Sequence, residues 1–103
     1  MARAKTKIEA RDEFMHSLAG MAYYWGTLSE RSALDKCNGL AFSILAMFDG
    51  SNIELPAMNI SLSPHPDDKE YLRSQGDNWF EPDQIINDDV TLHEMWHKYQ
   101  KEK

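Results

Sequence analysis

The stretch from Ala33 to Phe48, A-L-D-K-C-N-G-L-A-F-S-I-L-A-M-F, decides the fold. Apolar residues recur in it at helical spacing, at Leu34, Cys37, Ala41, Ile44, Leu45 and Phe48, and Leu40 and Met47 widen the stripe. An apolar face this broad must be covered on most sides, so the stretch is predicted to form the central helix of a small core. We expect Cys37 to be largely buried, and Leu45→Ala to cost about 2–5 kcal/mol if its site is enclosed.

A second helical pattern precedes this stretch, from about Lys7 to Leu28, with its apolar residues mainly on one side. Two successive helices with apolar faces predict a hairpin core. Glycine weakens a helix but permits close approach of a neighbour, so Gly20 or Gly26 is expected at the crossing, where Gly39 and Ala41 of the central helix could meet them. Ser29 or Ser32 is the predicted N-cap of the central helix.

A short sheet is predicted after the hairpin. The central helix ends at Asp49-Gly50, because glycine adopts the left-handed conformation after a last turn. Residues 58–63 then alternate apolar and polar without a break, which is typical of a half-buried strand. A single strand needs a partner, for which residues 84–87 are the internal candidate and another subunit is the alternative. The expected fold is therefore α+β and helix-dominated, with a two-helix hairpin core, a minimal two-stranded sheet and a C-terminal helix.

Two further helices are indicated outside the hairpin. A short one begins at Pro66, has acidic residues in its first turn and ends before Gly76. The C-terminal helix is expected over Val90 to about Lys101, with Asp88 or Asp89 as its N-cap.

Length and composition indicate one soluble domain over residues 1–103, with residues 1–6 as a flexible basic arm. No apolar run reaches membrane-spanning length, and no signal-peptide core is present, so we expect a cytoplasmic protein that does not contact a membrane. The single cysteine, Cys37, cannot form an internal disulfide.

The net charge of −6 is unevenly distributed. Residues 77–89 contain five acidic side chains and no basic one, at Asp77, Glu81, Asp83, Asp88 and Asp89. An acidic balance argues against nucleic-acid binding, which needs cations to replace phosphate counterions. The acidic stretch is suited to a basic partner or to imitation of a phosphate backbone, and a solvated loop is the simpler alternative.

The motif His93-Glu94-Met95-Trp96-His97 matches H-E-x-x-H. On a helix, His93 and His97 would lie one turn apart and could share a zinc ion, while Glu94 would act as the catalytic base on a bound water. Catalytic zinc needs a third protein ligand, and only six residues follow His97.

A third ligand would have to come from upstream, where the candidates are His65, Asp68, Asp67 and His16. Proline and acidic residues around His65 are explained more simply by the start of a helix. We therefore expect no metal or other cofactor, and expect the two histidines to face solvent or an interface.

Five segments of the chain resemble small uncharacterised prophage-encoded proteins of enteric bacteria. They are L-A-F-S-I-L-A-M-F-D-G (40–50), L-P-A-M-N-I (55–60), P-H-P-D-D-K-E-Y (64–71), D-N-W-F (77–80) and I-N-D-D-V-T-L-H-E-M-W (86–96). The resemblance covers about Glu13 to Tyr99. It implies a bacterial cytoplasm and an accessory role in a phage or prophage, and it supplies no catalytic residues.

The sequence therefore favours a non-enzymatic accessory protein of phage origin that binds a host or phage macromolecule, with a protein as the expected partner. A zinc-dependent hydrolase using His93, Glu94 and His97 is the first alternative. An acidic nucleic-acid mimic, or a nucleic-acid binder using the basic arm, is the second. Two broad apolar helices also predict a homodimer, because self-association covers apolar surface that one chain leaves open.

Overall fold

The computed structural model of the chain describes residues 2–101, which form four α-helices and one 3₁₀ turn. The elements are α1 (Lys7–Gly26), α2 (Ala33–Phe48), α3 (Asp68–Ser74), α4 (Leu92–Met95) and the 3₁₀ turn Trp96–Lys98. Among the described residues, no helix is long and apolar enough to span a membrane. The contacts group the chain into two compact units, of which the first runs to Met58 and resumes at Thr91, and the second is Asn59–Val90.

Helix α1 begins with a complete capping box. The Thr6 side chain accepts a hydrogen bond from the Glu9 backbone N–H, and the Glu9 carboxylate accepts one from the Thr6 N–H. Arg3 donates two further bonds to the same carboxylate, at 2.7 and 2.9 Å. The Arg3 guanidinium, followed by the Thr6 N–H, lowers the pKa of Glu9 to about 2. Arg3 of the predicted basic arm thus contacts the first turn of α1, while Met1 lies outside the described residues.

Helix α2 has the boundaries that its sequence predicts. The Ser32 side chain accepts a hydrogen bond from the Asp35 N–H at 3.1 Å, which confirms Ser32 as the N-cap. Gly50 follows the last turn with a φ of 95°, so the predicted glycine stop is confirmed as well.

The Trp25 side chain of α1 lies directly against Gly39 of α2. A Cβ atom at this position would overlap the six-membered ring of the Trp25 side chain, so only glycine fits there without displacing the ring. The Trp25 Nε1–H donates a 2.9 Å hydrogen bond to the Ser43 hydroxyl, which fixes the indole against α2. The prediction that Gly20 or Gly26 lies at the crossing is wrong, because nothing lies within 4 Å of a Cβ built on either residue.

The core of the first unit is small. Met47, which is 1% exposed, and Leu55 are its buried apolar residues among those described. Phe14 and Phe48 join α1 to α2 edge to face, with their ring centroids 6.1 Å apart. The prediction of a buried Cys37 is wrong, because this residue is exposed.

The predicted two-stranded sheet is wrong, although its two segments do lie side by side. They form a single antiparallel bridge, Ser61 with Ile85, and no strand or sheet occurs among residues 2–101. The ladder stops because the Ile60 N–H donates to the Asn87 side-chain oxygen instead of a backbone carbonyl. On the other side of the bridge, Asp83 has a φ of 62°, which takes the chain out of the extended conformation.

Helix α3 in the second unit starts at the predicted group of polar residues. The Asp68 carboxylate accepts a hydrogen bond from the His65 N–H, and His65 Nδ1 accepts one from the Asp67 N–H, each at 3.1 Å. Gly76, with a φ of 75°, follows the helix as expected.

Candidate functional site

The C-terminal segment of the first unit is held by the side chain of Asp49, the residue that follows α2. The Asp49 carboxylate accepts hydrogen bonds from the Leu92 N–H at 3.0 Å and from the His93 N–H at 2.8 Å. These are two of the N–H groups that a helix start leaves without an internal partner. Asp49 therefore caps α4 from 43 residues away, and the prediction that Asp88 or Asp89 caps this helix is wrong.

Asp49 also fixes the ring of His93. The His93 Nδ1 atom lies 2.6 Å from the Asp49 Oδ2 atom, and the two side chains are 24% and 6% exposed. Because a carboxylate only accepts hydrogen bonds, Nδ1 carries the hydrogen and Nε2 is the ring nitrogen left for another partner. Phe42 packs edge to face on the same imidazole, with ring centroids 5.4 Å apart.

The predicted helix of residues 90–101 is wrong in its length, and this changes the setting of the histidines. Helix α4 ends at Met95, and His97 lies in the 3₁₀ turn that follows. A 3₁₀ turn has about three residues per turn, so His93 and His97 are farther apart around the axis than in a continuous α-helix. His97 Nδ1 lies 3.0 Å from the Glu94 carbonyl, and Glu94 itself is exposed.

The remaining predicted ligands lie elsewhere in the chain. His65 and Asp68 belong to the second unit, where they form the start of α3 with Asp67. His16 lies on α1, 3.4 Å from Asp12. Within residues 2–101, no group of three or more His, Cys, Asp or Glu side chains is arranged to hold a metal ion.

The electrostatics of Asp49 follow from its contacts. Burial raises the pKa of its carboxyl, but the hydrogen bonds from the His93 backbone and ring and from the Leu92 backbone together lower the pKa by more. The pKa in the folded protein is therefore below the ordinary value for aspartate. Sequence reasoning gave Asp49 only the role of a helix end, and no local pattern connects it with residues 43 and 44 positions away.

Replacing Asp49 by asparagine is expected to destabilise the protein by about 1–3 kcal/mol at neutral pH, because two partly buried N–H groups lose a charged acceptor. Since folding lowers the pKa of Asp49, its contribution is present above the ordinary aspartate pKa and disappears as the pH falls through the lower, folded-state value. Urea denaturation of both proteins from neutral to acidic pH measures this difference. Glu54→Gln, in an exposed loop, is the control, and a pH-independent difference would contradict the assignment.

The second unit carries the whole net charge of the protein. Residues 59–90 contain two basic side chains, Lys69 and Arg73, and eight acidic ones, Asp67, Asp68, Glu70, Asp77, Glu81, Asp83, Asp88 and Asp89. All ten are exposed. The other residues of the chain hold nine side chains of each sign, so the second unit has a net charge of −6 and the remainder is neutral.

Both basic side chains of the second unit are engaged within it. The Lys69 Nζ atom lies 5.1 Å from the centre of the Trp79 ring and 3.7 Å from a Glu81 carboxylate oxygen, and the Arg73 guanidinium lies 6.0 Å from the same ring. The Trp79 Nε1–H, followed by Lys69, lowers the pKa of Glu81, so this carboxylate stays ionised. Phe80 and Tyr71 are left 70% and 64% exposed.

No protein-family model matches the chain, and a search of curated proteins and of solved structures gives no match either.

Proposed function

We propose that this protein is a non-enzymatic accessory protein, of phage origin and active in the bacterial cytoplasm, that binds a basic surface of a host or phage protein. The observation that carries the proposal is the separation of charge. The second unit has a net charge of −6, and the rest of the chain is neutral. A one-sided charge of this kind steers a partner of opposite charge and sets its orientation.

The exposed aromatic residues support contact with a protein. Phe80 and Tyr71 stand among the acidic side chains of the second unit, and aromatic residues are the usual anchors of protein interfaces. Because Lys69 and Arg73 are engaged by Trp79, the cations of this unit offer little to a phosphate group. A basic protein surface is therefore favoured over nucleic acid as the partner.

The proposal is tested by capture from a bacterial lysate with matched charge variants. One variant carries Asp83→Asn, Asp88→Asn and Asp89→Asn in the second unit, and the control carries Asp12→Asn, Glu13→Gln and Glu54→Gln in the first. Both variants lose three negative charges, so a nonspecific effect of charge would weaken capture by both variants equally. We expect a basic protein that elutes with rising salt, is retained by the control, and is lost or weakened by roughly tenfold or more in the second-unit variant.

Equal losses in the two variants would contradict the proposed surface. Duplex DNA added to the lysate tests the nucleic-acid mimic, which predicts that DNA displaces the captured protein. If DNA does not displace the captured protein and the Phe80→Ala variant no longer captures it, Phe80 is an aromatic anchor of a protein interface and the nucleic-acid mimic is excluded.

The zinc-dependent hydrolase is the second candidate, favoured by one contact. Histidine ligands of metals commonly donate their other ring N–H to a carboxylate, as His93 does to Asp49. We nevertheless expect purified protein to hold no stoichiometric zinc, because His93 and His97 are divided between α4 and the 3₁₀ turn. Elemental analysis that finds about one zinc per chain, lost in His93→Ala, would overturn this expectation and favour the hydrolase.

The homodimer expected from the sequence stays a prediction. Helix α1 leaves Ile8, Met15, Tyr23 and Tyr24 exposed and has no buried residue, which is the kind of surface that self-association covers.

A further inference from the structure

A surface pocket of about 300 Å³ lies in the first unit, beside the segment that connects α1 and α2. Its lining is part aromatic and part polar: Trp25, Phe42, Trp96, Gly39, Arg31, Asp35, Asn38 and Gln100. This size is at the lower end of the range for small-molecule sites, and apolar walls with a few polar groups are their usual composition. No residue of the acidic second unit lines it, so its chemistry is separate from that of the proposed function.

The Trp25 ring in this pocket is held firmly in place. Its Nε1–H is bonded to Ser43, its six-membered ring lies against Gly39, and Tyr24 packs on it edge to face with centroids 5.3 Å apart. The ring is therefore held in one position, so a ligand that contacts the part of it lining the pocket does not have to order the side chain. Trp96 supplies a second indole, and its buried Nε1–H has no hydrogen-bond partner among the described residues.

The polar side chains of the pocket are also without partners. Within the described part of the chain, the side chains of Arg31, Asp35, Asn38 and Gln100 make no hydrogen bond or ion pair. Together they provide a guanidinium group, a carboxylate and two carboxamides. Guanidinium groups bind phosphate through paired hydrogen bonds, carboxamides pair with the edges of nucleobases, and a carboxylate accepts from ribose hydroxyls.

We infer that this pocket binds a nucleoside monophosphate, with its base against the indole rings, its edge toward Asn38 and Gln100, and its phosphate on Arg31. This ligand uses every type of group in the pocket. A purely cationic ligand suits the aromatic rings and Asp35, but it leaves Arg31 without a partner. An aromatic amino acid uses Arg31 and Asp35 and leaves both carboxamides without a partner.

The inference is tested by fluorescence titration of the full chain in a Trp79→Phe background, in which Trp25 and Trp96 are the remaining indoles. AMP, GMP, CMP and UMP are titrated with excitation at the red edge of the indole band, where nucleotides do not absorb. We expect saturable quenching by at least one of them. Arg31→Gln should weaken that affinity by roughly tenfold or more and leave the affinity for the matching nucleoside unchanged.

Arg11→Gln, an exposed arginine of α1 that does not line the pocket, is the matched control and should bind as the parent does. The inference is overturned by the absence of saturable quenching at millimolar nucleotide. It is also overturned if inorganic phosphate or free phenylalanine saturates the signal as tightly as the nucleotide, or if the two arginine variants lose equal affinity.

Discussion

Replacing Gly39 by leucine is expected to destabilise the protein by about 3 kcal/mol, the low end of the range for losing the packing of a tryptophan. The new side chain would occupy the space of the Trp25 ring, which must then leave its place against α2 and give up its hydrogen bond to Ser43. Urea denaturation measures the loss, and the near-ultraviolet circular dichroism of the indole reports the displacement directly.

The matched control is Gly20→Leu on α1. Nothing lies within 4 Å of a Cβ at this position, and leucine is a better helix former than glycine, so this variant should gain stability by up to about 1 kcal/mol. The two substitutions are chemically identical and have expected effects of opposite sign. Two losses of similar size would mean that Gly39 does not mark the crossing of α1 and α2.

Met47→Ala is expected to cost about 2–5 kcal/mol of the free energy of unfolding. Met47 is 1% exposed and is the most deeply buried side chain described, so its truncation leaves a cavity that the small core has few ways to fill. A loss of this size is a large fraction of the stability of a domain this small, and the thermal transition should shift downward accordingly.

Met15→Ala provides the comparison for Met47→Ala, because Met15 is 57% exposed on α1. Its removal should change the free energy of unfolding by no more than about 0.5 kcal/mol. A loss at position 15 comparable to that at position 47 would show that the outer face of α1 is covered in solution. That result would support the predicted homodimer and would be followed by sedimentation at micromolar concentration.

Several helix boundaries could be predicted because their signals are local. The N-cap at Ser32 and the glycine stops at Gly50 and Gly76 act within one turn of the residues that they cap. The sequence offered residues 84–87 as one possible partner of residues 58–63, and a single bridge joins these two segments. The sheet was wrongly predicted because the Asn87 side chain, and not a backbone carbonyl, accepts the hydrogen bond from the Ile60 N–H. The alternation of apolar and polar residues carries no information about such a side-chain acceptor.

The candidate site was harder to predict because it depends on contacts distant in the sequence. His93 could be selected from a motif, but the residue that fixes its ring, Asp49, is 44 positions away. The length of the last helix was overestimated for a related reason. Short helices are marginal on their own, so their extent is set by the tertiary contacts they make rather than by composition. The charge of the second unit, in contrast, could be counted directly from the sequence.

The first unit consists of two separate parts of the chain, one before and one after residues 59–90. The hydrogen bonds from Leu92 and His93 to Asp49 join these two parts. In polymer terms, these bonds fasten the ends of a 43-residue loop. The entropy of closing a flexible loop depends on the logarithm of its length, and doubling the length costs only about 0.6 kcal/mol. Insertions and deletions in residues 59–90 are therefore expected to cost the first unit little stability, so the length of this segment can change while the helical hairpin stays folded.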